Sequence, residues 1–207
     1  MTQQPMAPKP LINPQRWKIL HGAHAAFIAE SSPVYDEVLV EVAGRIEKSG
    51  SVGKADIGAM VLWKRVRADT RWVGELMAIP EMNVRAVTEK AVAAVNSEAV
   101  TTPQAASDGR RALATLPGLK TGDAFASALL LASAPHRMAV YDRRAQTGLK
   151  ELGLTLSSKP GRYRRYMALV EELCLTAKHH GHTWIARDVD VALYKLGGPG
   201  TTVPTAS

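Results

Sequence analysis

From Val34 onward, the apolar residues of this chain recur three and four positions apart, and no segment shows a convincing single alternation. Val34, Val38, Val42 and Ile46 share one helical face, as do Val84, Val87, Ala91 and Val95, and then Tyr166, Leu169, Val170, Leu173 and Ala177. A period near 3.6 buries one stripe of a helix and cannot bury one face of a strand. Ala, Leu and Val are plentiful while only Phe27 and Phe125 represent phenylalanine, which favours close-packed helices over a sheet. The spacing therefore predicts an all-α chain of about nine helices.

Breaks in that pattern place the elements. Residues 1–14 hold prolines at 5, 8, 10 and 14 with few apolar anchors, so they read as a flexible arm. A first helix is expected over Gln15–Glu30, with Pro14 near its start. Ser31-Ser32-Pro33 breaks the chain and can cap the next helix, Val34–Lys48. Gly53-Lys54 is not a phosphate loop, because Lys48 stands where that motif needs Gly and Ala55 where it needs Ser or Thr. A helix then starts near Lys54, with Ile57, Met60 and Val61 inward. Asp69 or Thr70 can cap a short helix to Ala78, Pro80 opens one to Asn96, and another is expected over Pro103–Thr115. Further on, helices are expected over Ala139–Leu152 and Gly161–His180, and a last one lies between Asp188 as cap and Gly197-Gly198. Residues 15–198 thus form one helical domain, followed by a flexible tail at 199–207.

Composition excludes several classes. One cysteine, Cys174, excludes an intramolecular disulfide and a four-thiolate iron–sulfur cluster. No apolar run is long enough to span a membrane and the N-terminus lacks a signal-peptide core, so a cytoplasmic protein is expected, nucleoid-associated if bacterial. His179, His180 and His182 lack the carboxylate or thiolate that would complete a zinc set, and read as a solvated helix end. The net charge is +7, and a net +6 falls between Arg137 and Tyr166. Such clustering suits a phosphate-binding surface or a solvated basic face. Trp63 and Trp72, each beside cations, suit a core edge or a stacking platform.

The basic window follows Leu116-Pro117-Gly118-Leu119, a turn between two helices, then the apolar run Ala124–Ala132, then Asp142. This segment resembles the helix–hairpin–helix segment of the DNA glycosylase superfamily, with the hairpin over residues 109–132. Pro117 ends one helix, Gly118 turns without a Cβ, and Leu119 plugs the groove between helices. The resemblance implies a two-lobed architecture across residues 56–197 and a hairpin that holds duplex DNA by its backbone. Its implied contacts are Gly118, Leu119, Lys120, Thr121 and Gly122, with helix-start N–H groups facing a phosphate. A monovalent cation can join through hairpin carbonyls, and no other cofactor is implied. The cations Arg143, Arg144, Arg162, Arg164 and Arg165 would extend the DNA surface.

By the same resemblance Asp142 is the catalytic carboxylate, stabilising an oxocarbenium-like sugar as a flipped base leaves. Capping the helix that begins there is its other reading. Two positions depart from the family: Lys120 stands where a second glycine belongs, and Gly122 where the lyase branch carries a lysine. Asp123 also competes as a cap for the hairpin amides. The resemblance thus implies a monofunctional DNA glycosylase of base-excision repair, hydrolysing an N-glycosidic bond. The alternative is a non-catalytic DNA-binding or interaction protein with the same fold.

Overall fold

A computed structural model describes residues 10–199, and all regular structure among them is helical. Ten helices follow in order: α1 Pro14–Glu30, α2 Glu37–Ser49, α3 Lys54–Trp63, α4 Arg71–Met77, α5 Glu81–Asn96, α6 Thr102–Leu113, α7 Ala124–Ser133, α8 Arg143–Glu151, α9 Arg162–His179 and α10 Ala186–Leu196. None of them is long and apolar enough to cross a membrane. The most apolar, α7, is buried from Phe125 to Ser133 and touches α2, α3, α5 and α6. Around it α5 pairs with α6, and α6 with α9, while α1 and α8 pack on α10. One hydrophobic cluster runs from Ile12 through Leu129–Leu131 to Leu196.

Several boundaries move for tertiary reasons. Of the expected arm, residues 1–9 lie outside the described residues, as do 200–207 of the tail. The rest of the arm is docked: Ile12 is buried and Leu11 N donates to Thr176 Oγ1 at 3.2 Å. Asn13 then caps α1 through Arg16 N. The second helix starts at Glu37, not Val34, which is exposed. The N-cap position falls to Asp36, whose side chain is drawn away to Arg187 and Trp63. Helix α8 starts at Arg143 rather than Ala139. Tyr163 and Tyr166 hydroxyls donate to the carbonyls of Ala139 and Val140, and Tyr141 N donates to Ser127 Oγ. Those contacts hold the stretch out of helical geometry. Asp188 lies inside α10, three residues past its N-cap, and accepts from Ile185 N at 2.8 Å.

The histidines after α9 are not all solvated. His180 stacks on Trp17 with ring centroids 4.9 Å apart, His182 meets His21 at 4.5 Å, and Trp184 closes the cluster against His24. His24 is paired with Asp188 Oδ1 at 3.1 Å. Burial lowers the pKa of His21, with the neighbouring His182 and His24 adding to the shift. The unfolded chain therefore takes up a proton near the ordinary value of 6.5 before folded His21 does. Stability is full above that value and is lost as pH falls through it. The melting temperature should decline as pH falls below about 6.5. A flat profile, or one unchanged by His21→Gln, would contradict this.

Candidate functional site

Asp142 ends the buried link Met138–Tyr141 and occupies the N-cap of α8, where Oδ1 accepts from Ala145 N at 3.0 Å. Its other oxygen, Oδ2, accepts from Lys64 Nζ at 2.5 Å, and both side chains are 16% exposed. Lys64 is the C-cap of α3, and Val66 N reaches back to Val61 O to close the helix end. Arg65 between them has φ 53°, a left-handed conformation that glycine usually supplies. Holding it there costs about 1 kcal/mol.

Asp142 and Arg143 line two adjoining cavities. The first, about 670 Å³, has aromatic walls from Phe27, Tyr35, Trp63 and Tyr194, with Lys64, Arg65, Arg144, Arg187 and Asp190 among the polar groups. Arg187 forms the hub of that wall. Its Nη2 reaches both oxygens of Asp36 at 2.8 Å, Nη1 donates to Asp190, and Trp63 Nε1 donates to Asp36 at 3.3 Å. Burial alone would lower the Arg187 pKa, but Asp190 and Asp36 outweigh it and raise it. Burial pushes the Asp190 carboxyl up, with Arg187 opposing. The Tyr35 hydroxyl is pushed up to about 12, chiefly by burial and next by Tyr194. Arg144 lies over the Tyr194 ring, 4.4 Å from its centroid.

The second cavity, about 470 Å³, is bounded by Gly122, Asp123 and Ala124, by Tyr141, and by Lys159, Gly161 and Arg162. Tyr141 is buried, and burial raises the pKa of its hydroxyl, with Arg162 opposing. Here the start of α7 faces Asp142 across one opening. No side chain caps α7. Asp123 is held instead by Arg110, whose Nε donates to Asp123 Oδ1 at 2.9 Å. The rest of that guanidinium binds the carbonyls of Leu119 at 2.7 Å and of Lys120 and Gly122 at 3.2 Å each. Asp123 therefore does not compete for the helix-start amides.

The expected contacts divide by depth. Leu119 is fully buried, and Gly118, at φ 75°, lies under Trp72, where a Cβ would come within 2.3 Å of the ring. Both build the turn, while Lys120, Thr121 and Gly122 are exposed at its tip. Arg143 and Arg162 share the second cavity, and Arg162, Arg164 and Lys120 line a smaller one of about 300 Å³ beside it. Arg165 is turned inward and donates to the carbonyls of Ser157, Lys159 and Pro160, bracing the loop before α9. Arg137 likewise serves the carbonyls of Val95, Ser97 and Val100. Sequence reasoning missed Lys64, Arg110 and Arg187. Arg110 does carry a legible signal, standing in the last turn before Leu-Pro-Gly. No family model, curated protein or solved structure matches the chain.

Proposed function

We propose that this chain is a helix–hairpin–helix DNA-binding protein of the DNA glycosylase type, acting in base excision on duplex DNA. The observation that carries the reading is the shared opening: Asp142 and the uncapped start of α7 face one cavity flanked by Arg143, Lys159 and Arg162. A phosphate at α7 would take its free amides and the positive end of its dipole. That would hold the duplex with Asp142 beside the neighbouring nucleotide. A flipped base would enter the aromatic-walled cavity. The Asp142 carboxylate would then stabilise the cationic sugar as the N-glycosidic bond breaks and water adds. The hairpin has no lysine at the lyase position, so hydrolysis is the reaction assigned to Asp142. On this reading Arg110 takes the place that the resemblance gives to a monovalent cation.

A non-catalytic DNA-binding role has one observation in its favour. Both oxygens of Asp142 are engaged, one by α8 and one by Lys64. Both readings require phosphate contacts, and a salt titration tests them together. If Lys120, Arg143, Arg162 and Arg164 each neutralise a phosphate, log affinity for duplex DNA should fall against log salt with a slope of about −3 to −4. Affinity that is indifferent to salt would remove the DNA surface altogether.

A further inference from the structure

We infer that the groove between α2 and the α7–α8 link is a docking surface for a basic amphipathic helix of a partner protein. None of the cations assigned to DNA lines it. The groove, about 740 Å³, follows α2 from Asp36 to Gly50, which is about 20 Å at a rise of 1.5 Å per residue. Leu39, Ala43 and Ile46 line it from α2, Val92 from α5, and Ala132 and Ala134 from the end of α7. A trough of that length suits a helix of about 14 residues better than a compact molecule. Ala43 and Gly44 let a second backbone come close, and a Cβ on Gly44 would meet nothing within 4 Å. Val40 is 68% exposed and Ile185 37%, so this chain leaves part of the apolar wall uncovered.

The polar groups set the charge of the occupant. Donors at the groove are spent within the fold. Arg137 serves Val95, Ser97, Val100 and Thr102, Arg187 serves Asp36 and Asp190, and Asn96 Nδ2 serves the carbonyls of Val92 and Ser133. What is left over accepts. Asn96 Oδ1 takes no hydrogen bond and the exposed Glu47 carboxylate no ion pair among the described residues, while the exposed His136 ring can do either. An occupant must therefore bring apolar area and donate, as leucine-type residues flanked by lysine or arginine do. The chain's own positive charge is no obstacle. Of its net +7, +6 falls between Arg137 and Tyr166, and of that window Arg137 alone lines the groove. Arg187 also lines the cavity that holds Lys64 and Asp142, so a seated helix would touch a residue of that cavity's wall.

The test is fluorescence anisotropy with the full chain. The probe is a labelled, end-capped peptide of about 14 residues, leucine and lysine only, with its leucines on one helical face. One control peptide carries glutamate for every lysine, and another has the probe's composition scrambled. The lysine probe should bind at least about tenfold more tightly than either control. Gly44→Met fills the groove from a helix-interior glycine, so affinity should fall at least about tenfold while the melting temperature stays equal or rises. Glu47→Lys should cost about tenfold through charge, and being exposed it decides the matter if Gly44→Met fails to fold. No binding of the lysine probe, equal binding of all three peptides, or undiminished binding by both variants would overturn the inference. So would sedimentation in which the wild type self-associates and Gly44→Met does not, because a second copy would then fill the groove. None of these outcomes touches the DNA reading.

Discussion

Replacing Asp142 by Asn is expected to slow base release from a lesion-containing duplex by at least about 100-fold, the loss typical when one group that stabilises transition-state charge is removed. The substitution separates two roles of one side chain. Asn is as good an N-cap as Asp, so its carbonyl oxygen still accepts from Ala145 N and α8 keeps its start. The negative charge is what disappears. Lys64 loses its partner but lines an open cavity and can turn toward solvent, so the folding cost should be about 1 kcal/mol. For a chain of this length that moves the melting temperature by only about 2–4 °C. A panel of duplexes, each with one altered base, is incubated with both proteins and the freed bases are quantified. Release by the wild type but not by the variant, with nearly equal melting curves, is the expected outcome. Equal release by both would reduce Asp142 to a cap.

The helices were legible where their apolar stripe faces a neighbour and their ends carry local signals. Helix α5, expected over Pro80–Asn96, spans Glu81–Asn96, and α9, expected over Gly161–His180, spans Arg162–His179. Pro80 stands at the N-cap of the first, and Gly161, at φ 79°, turns the chain into the second. Where the deciding partner lies far along the chain, local pattern fails. Ala139 and Val140 could continue a helix, yet hydroxyls from α9, 24 and 26 residues away, take their carbonyls. His180 looks solvated until α1 brings Trp17 against it.

The candidate site divides in the same way. Asp142 was legible as a helix cap because capping acts over three residues. Lys64, 78 residues distant, leaves no trace in the sequence near Asp142. The basic window also misleads if taken as one surface. Arg137 and Arg165 serve buried or loop carbonyls, and Arg144 covers Tyr194, while Arg143, Arg162 and Arg164 stay beside the turn before α7. Guanidinium forks are consumed wherever carbonyls lack partners, and no count of charge along the sequence shows which.

Arg110→Leu should destabilise the fold by about 2–3 kcal/mol and weaken DNA binding by more than the loss of one cation explains. One guanidinium holds four acceptors: the Asp123 carboxylate and the carbonyls of Leu119, Lys120 and Gly122. Leucine keeps the apolar stem and removes every donor. The exposed tip at Lys120 and Gly122 can turn to water, but Leu119 is fully buried, and its carbonyl would lose its partner. Asp123 is 20% exposed, so it relaxes toward solvent and the cost stays below that of a wholly enclosed pair. For this size of chain the melting temperature should drop by roughly 4–12 °C. Arg110→Lys should recover little, because a single ammonium cannot span four acceptors fixed around a planar fork. The binding defect has a second source. Asp123, once released, is free to cap the first turn of α7 and occupy the amides assigned to phosphate. Adding Asp123→Ala to Arg110→Leu should therefore restore part of the affinity for duplex DNA, although it restores no stability. If the double variant binds no better than the single one, the amides at α7 are not the phosphate site, whatever the melting curves show.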